Sequence, residues 1–176
     1  DTRQHRTPQA NGNGLKPLAG EALSPKATIL GGKQEAWLRR KWLESKAEWN
    51  VMAQQVLMAR VDRLPGPPEG FPMDKWAGYE VCRQRVMQSL ADLKVPNPVV
   101  LTGDIHSNWV CDLPLDYEKP DKTVIGTEFV CTSISSGGNG SEKLEYTDGM
   151  IAENPWVKLH NAERGYVRCR VTPKQW

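Results

Sequence analysis

Asp104 and His106 lie two positions apart in the segment LTGDIHSNW, which covers residues 101–109. On an extended segment, residues i and i+2 point to the same side, so this spacing places a carboxylate beside an imidazole. Such a pair suits a metal ion bound through oxygen and nitrogen, or a carboxylate that orients a catalytic histidine. Gly103 permits a sharp exit from a strand and the close approach of a ligand. The alternative is an ordinary turn, because Gly-Asp pairs are common after strands.

Two arginines, Arg3 and Arg6, lie in the opening segment DTRQHR. A guanidinium group binds phosphate through two parallel hydrogen bonds, so Arg3 is a candidate substrate-binding residue. The alternative is a structural ion pair with Asp1 or with another carboxylate. The remaining histidines, His5 and His160, have no convergent partner at close spacing and are interpreted as surface residues.

A layered α/β architecture is predicted to position these residues. Apolar residues recur at spacings of three and four in 33–49 and 78–93, which predicts two helices. Short apolar or alternating runs predict strands at 51–59, 98–101, 109–113, 124–134 and 166–171. Several short strands late in the chain indicate a mixed sheet covered by helices. Asp104 would then follow the end of a strand, where open α/β sheets bind ligands.

The composition argues against several classes of protein. A length of 176 residues suits one domain or a large piece of one. The net charge of +2 is small and the basic residues are scattered, which does not favour nucleic acid. No apolar run approaches the roughly 20 residues that cross a bilayer. The four cysteines lack zinc-site spacing and are interpreted as buried thiols in preference to disulfides.

Six segments, taken in order, resemble the C-terminal part of the PhoD-like alkaline phosphatases, a branch of the calcineurin-like metallophosphoesterases. They are DTRQHR, TILGGKQEAWLRRKWLESKAEWNVMAQQVLMA, DKWAGYEVCRQRVM, VVLTGDIHSNWVCDL, GTEFVCTSISSGG and RGYVRCRVTP. This resemblance implies that residues 1–176 are the C-terminal portion of a single metallophosphatase domain. The implied fold is an α/β sandwich of mixed β-sheets flanked by helices, incomplete on its N-terminal side.

The same resemblance implies metal-dependent hydrolysis of small phosphate monoesters or diesters by an exported enzyme that uses iron and calcium. In the wider superfamily a late Gly-His-x-His segment supplies two metal ligands. Gly103-Asp104-Ile105-His106 resembles it, with aspartate in place of the first histidine. Asp104 and His106 are therefore expected to be catalytic metal ligands. An oxygen donor suits calcium, and an imidazole suits iron.

Two other functions stay open at this point. The earlier metal ligands of such enzymes are expected in an N-terminal remainder of the domain, so this chain alone is expected to be inactive. It could instead be a non-catalytic binding or scaffolding fragment that has lost half of its metal site. A hydrolase that uses His106 as a general base without metal is the third reading. The glycine-rich residues 135–140 are interpreted as a rim of the active site.

Overall fold

A five-stranded mixed sheet forms the centre of the computed structural model, which describes residues 1–176. In chain order the elements are β1 (Leu15–Lys16), α1 (Gly32–Glu44), β2 (Asn50–Ala53), β3 (Phe71–Pro72), α2 (Glu80–Asp92), β4 (Pro98–Thr102), β5 (Asn108–Pro114), β6 (Val124–Val130), α3 (Thr147–Glu153) and β7 (Val157–Asn161). The central sheet has the order β2-β4-β6-β5-β7, and β1 pairs with β3 separately. Strands β2, β4 and β6 are parallel, whereas β5 is antiparallel to β6 and β7. The strands β2, β4, β6 and β7 therefore all end at one edge of the sheet.

One face of the central sheet is covered and carries the main core. A row of four buried residues crosses the strands β4, β6, β5 and β7 on this face: Val100, Glu128, Cys111 and Val157. Helix α2 contributes Cys82, Val86 and Leu90 to the same core at a spacing of four residues. That spacing keeps them on one side of the helix, as the helical period requires.

The opposite face of the sheet is apolar but open. The row on this face crosses all five strands with Ala53, Leu101, Phe129, Val110 and Leu159. The first and last of these residues are exposed, and the other three are half-buried. Parallel strands such as β2, β4 and β6 are normally covered on both faces of their sheet. This face is therefore suited to packing against further polypeptide.

The predicted layered α/β class and the mixed sheet are confirmed. The predicted helix 78–93 corresponds to α2, which is preceded by a 3-10 turn at Trp76–Tyr79. The predicted strands 98–101 and 109–113 correspond to β4 and β5. No helix combines the length and the apolar character that a membrane-spanning segment needs.

The predicted helix 33–49 is too long, because α1 ends at Glu44. Ser45 is already extended, with ψ at 134°, and its hydroxyl donates a hydrogen bond to Asn50 Oδ1 at 2.7 Å. The chain must leave the helix here to reach the edge strand β2. A tertiary requirement thus overrides the helical pattern that continues in the sequence.

The predicted strand 51–59 is also too long, because β2 ends at Ala53. The backbone N–H groups of Met58 and Ala59 donate to the carboxylate of Glu128, each at 2.8 Å, instead of joining the sheet. The segment after β2 is therefore apolar and buried but not a strand. The carboxylate of Glu128 on β6, two strands away from β2, accepts the backbone hydrogen bonds that a paired strand would otherwise accept.

The last third of the chain differs most from the prediction. The predicted strand 124–134 ends at Val130, beyond which Thr132 N donates to the side chain of Asn108. Residues 166–171 form no strand, and all six are exposed despite their alternating pattern. The prediction missed α3 and the edge strand β7. Two consecutive exposed residues in β7 hide the alternation by which strands are detected.

The cysteines and histidines are placed only partly as expected. All four cysteines are free thiols; Cys82 and Cys111 are buried as expected, but Cys131 is half-buried and Cys169 is exposed. His5 is exposed, whereas the interpretation of His160 as a surface residue is wrong, because it is 7% exposed on β7.

Burial controls the ionisation of His160. Its Nδ1 is 2.9 Å from Thr147 Oγ1, and its ring centroid is 4.2 Å from that of Trp109. Loss of solvation, with the positive charge of Arg63, lowers the pKa of His160 to about 4. The imidazole is therefore neutral in the folded protein at neutral pH.

The stability of the full-length protein is expected to fall as the pH drops from about 6.5 to about 4. In this window the unfolded imidazole of residue 160 takes up a proton and the folded one does not, so the unfolded state binds more protons. The contribution of His160 to this loss is about 3 kcal/mol. Denaturant unfolding over this pH range checks it: His160→Gln should flatten the pH dependence and His5→Gln should not. An unchanged slope in His160→Gln contradicts the assignment.

Candidate functional site

The Asp104 and His106 pair lies directly after β4, at the edge where four strands of the sheet end. The expectation that this segment is extended is wrong. Both residues have left-handed backbone, with φ of 71° and 59°. Non-glycine residues in such regions cost about 1–3 kcal/mol each and cluster at functional sites. Their side chains make no hydrogen bond to each other, and both are presented from this left-handed turn.

Two cations hold the carboxylate of Asp104. Arg3 Nη2 donates to Oδ1 at 3.1 Å, and Lys75 Nζ donates to Oδ2. Burial opposes ionisation of Asp104, but the hydrogen bond and charge of Lys75, together with Arg3, outweigh it and lower its pKa. The structure thus brings Arg3 to Asp104 as an ion pair, which is the structural alternative foreseen for that arginine. The carboxylate stays charged, and both of its oxygens are oriented.

Lys75 is a part of this site that the sequence reading missed. Its side chain is only 9% exposed, and Nζ also donates to Asp74 Oδ2 at 2.9 Å. A buried ammonium group is tolerated only when carboxylates pair with it. The turn that follows is tight, because a Cβ atom at Gly78 would lie 2.0 Å from the carbonyl oxygen of Met73. Lys75 is therefore presented from a rigid support.

A chain of hydrogen bonds connects that support to the end of β4. Trp76 Nε1 donates to Gln54 Oε1 at 3.0 Å, and Gln54 Nε2 donates to Thr102 Oγ1 at 2.6 Å. Thr102 Oγ1 in turn donates to Glu128 Oε1 at 2.5 Å. Glu128 is 0% exposed. Burial raises its pKa to about 7, although the hydrogen bonds that its carboxylate accepts act to lower it. The network therefore holds the side chain of Thr102, the last residue of β4, two residues before Asp104.

His106 is held by its backbone, and its ring makes no hydrogen bond. Its carbonyl oxygen accepts a hydrogen bond from Arg164 Nη1 at 2.6 Å. The glycine-rich loop lies beside the ring, because a Cβ atom at Gly137 would be 3.9 Å from His106 Nδ1. The predicted rim segment 135–140 therefore does border this residue. The imidazole stays available to a ligand.

The donor chemistry of the site fits a metal ion, but the donor set is incomplete. Carboxylate oxygen and imidazole nitrogen are ordinary ligands of iron, and oxygen suits calcium. Metal sites need four or more ligands. No group of three or more His, Cys, Asp or Glu side chains in this chain could hold a metal ion. Asp104 and His106 would thus need ligands from outside these residues.

One family model covers the whole chain, since residues 1–176 match the model described as PhoD-like phosphatase. The chain belongs to the PhoD-like phosphatase family. Alkaline phosphatase D of Bacillus subtilis (strain 168) is 46% identical over 176 residues, which is 100% of this chain and 30% of that protein. The solved structure described as "Structure of PhoD" superposes with a TM-score of 0.94 at 45% identity, over 98% of this chain and 33% of that one.

These comparisons confirm the resemblance inferred from the six sequence segments. The PhoD-like chain has the fold of that solved structure, so the expected metallophosphoesterase type of fold is confirmed as well. The chain spans about a third of the length of the relatives it matches.

Proposed function

We propose that this PhoD-like chain is one portion of a metal-dependent phosphoesterase that hydrolyses small phosphate monoesters or diesters. The observation that carries the proposal is the strained turn of Asp104 and His106 at the sheet edge, in a chain of this family. Strain of this kind persists only where the surrounding structure holds it, and it accumulates where function needs it. The relative named alkaline phosphatase D supports the class of reaction.

Asp104 would supply an oxygen ligand and His106 a nitrogen ligand, with calcium and iron as the proposed metals. When bound, such metals supply Lewis-acid stabilisation of the negative charge on the phosphate. Lys75 keeps the Asp104 carboxylate ionised and oriented, as the partners of ligating carboxylates do. Both ligands lie at one edge of the sheet, so substrate would approach from that edge.

Arg3 is proposed to meet the phosphate of the substrate. Its Nη2 donates to Asp104, but its side chain makes no other hydrogen bond and is 38% exposed. The remaining N–H groups are free to donate to phosphate oxygens. The ion pair with Asp104 then aims the guanidinium group at the place where the metals are proposed.

The rest of the domain is proposed to pack on the open face of the sheet and to supply the missing ligands. The apolar row from Ala53 to Leu159 is suited to such packing. The chain covers 30% of the Bacillus subtilis relative, which supports a further segment of the same domain as the occupant of that surface. Export of the complete enzyme belongs to the same proposal and is supported by the family resemblance alone.

Hydrolysis of a chromogenic phosphate ester by the full-length protein tests the proposal. We expect turnover that a chelator abolishes and that iron and calcium together restore, because the proposed reaction depends on bound metal. The chain of 176 residues by itself should show no turnover. Full activity after complete metal removal would favour a metal-free mechanism with His106 as base. Absence of any hydrolysis, with metals bound, would favour the non-catalytic alternative.

A further inference from the structure

Arg164 connects three loops around His106. Its Nη1 donates to the carbonyl oxygen of His106 at 2.6 Å, to Ser133 Oγ at 3.1 Å and to Thr132 Oγ1 at 3.3 Å. Its Nη2 donates to the carbonyl oxygen of Ala162 at 3.1 Å. One guanidinium group thus joins the turn after β4, the loop after β6 and the segment after β7.

Backbone hydrogen bonds join the same segments. Arg164 N donates to the carbonyl oxygen of Asn139 at 3.3 Å, and Gly165 N donates to that of Ser133 at 3.2 Å. A Cβ atom at Gly140 would lie 2.0 Å from the carbonyl oxygen of Ala162, so the two loops touch through their backbones. Arg164 is therefore held at both its backbone and its side chain.

Both Nη1 and Nη2 of Arg164 donate to other parts of the protein, whereas the side chain of Arg3 donates only to Asp104. Nη1 carries two N–H groups and serves three acceptors. Nε is buried without a partner and does not reach the solvent. A substrate phosphate would have to break the contacts with His106 and Ser133 to be bound by Nη1. The planar guanidinium group donates to several acceptors at once. A lysine cannot reproduce these contacts because it lacks the planar set of donors.

We propose that Arg164 is a positioning residue that keeps His106 in its left-handed conformation and so aims the imidazole at the metal. This rests on the proposed function, because it takes His106 as a metal ligand. The φ of His106 is 59°, a left-handed conformation that is uncommon for residues other than glycine. The hydrogen bond to its carbonyl oxygen is the contact that imposes it. Without Arg164 the turn relaxes and the ring swings away from the ligand position.

A double-mutant cycle on metal affinity in the full-length protein tests the proposal. The variants are Arg164→Ala, His106→Ala and the double variant, and the readouts are metal content and the Kd for iron measured against a competing chelator. Arg164→Ala alone should weaken binding about 10–100-fold, as the loss of partners that orient ligands does. In the His106→Ala background, Arg164→Ala should change the Kd by about twofold or less, because the ligand that Arg164 positions is absent.

Two further variants serve as controls for the double-mutant cycle. Arg168→Ala removes an exposed arginine four positions later on the same segment and should leave the Kd unchanged. Arg164→Lys keeps the positive charge without the planar set of donors. It should recover only part of the metal affinity that Arg164→Ala loses. If Arg164→Ala does not fold, Arg164→Lys takes its place in the cycle.

The outcomes separate this inference from the proposed function. An equal loss of affinity in both backgrounds, or no loss in either, overturns the positioning role of Arg164. Unchanged metal affinity in His106→Ala alone overturns the ligand role of His106 and, with it, the basis of the proposal. A large effect of Arg164→Ala only when His106 is present supports both.

Discussion

Replacing Asp104 by asparagine in the full-length protein is expected to lower bound metal and turnover together, each by roughly 100-fold or more. Asparagine keeps the size of the side chain but removes the negative charge that attracts a cation. It also leaves the buried Lys75 with Asp74 as its one carboxylate partner, so the site becomes more positive. Loss of partners that only orient a ligand already weakens metal binding 10–100-fold, and loss of the ligand itself should do no less.

The measurement pairs elemental analysis of the purified protein with initial rates of phosphate-ester hydrolysis. Asp148→Asn is the control, because Asp148 also pairs with a lysine, Lys143, at 2.7 Å but is exposed. That variant should keep its metals and its rate. An Asp104→Asn protein with full metal content and full turnover would show that this carboxylate is not a ligand.

Replacing Trp76 by alanine is expected to lower the free energy of unfolding by about 3–5 kcal/mol. Trp76 is 0% exposed and belongs to the main core, so its removal opens a cavity under the turn that presents Lys75. The change also removes the Nε1 donor that serves Gln54. The chain of hydrogen bonds toward Thr102 then loses one end, and turnover should fall beyond what the folded fraction explains.

Trp76→Phe separates the two effects of that substitution. Phenylalanine fills most of the space but cannot donate to Gln54, whose Oε1 still accepts from Val56 N at 3.0 Å. We expect a loss of about 1–2 kcal/mol, close to that of one hydrogen bond. Denaturant unfolding of both variants and the parent gives the comparison. Equal stability of Trp76→Ala and the parent would contradict the assignment of this ring to the core.

The main architecture was predictable from the sequence because local patterns and burial agree there. Val86 and Leu90 follow the helical period and do face the core in α2. The run that ends at Leu101 is a strand between two parallel neighbours, as its apolar character indicates. Asp104 follows that strand and lies at the edge where ligands bind in α/β sheets.

The interior of the site was less predictable, because its contacts join residues that are distant in sequence. Lys75 is 29 positions from Asp104, and Arg164 is 58 positions from His106. One usable signal was missed: Glu128 is a lone carboxylate in the apolar strand VIGTEFV, and such a residue at an inward position must have buried partners. The turn at Asp104 was indicated only by the Gly-Asp pair, which is common in turns after strands.

The central claim is that Asp104 and His106 both belong to one metal site that the rest of the domain completes. Crystals of the full-length protein, with anomalous diffraction recorded on both sides of the iron absorption edge, test it most directly. We expect a metal about 2.0–2.6 Å from the His106 ring nitrogen or an Asp104 carboxylate oxygen, with the other ligand at the same cluster. A loaded metal cluster elsewhere, with Asp104 bonded only to Lys75 and Arg3, would contradict it.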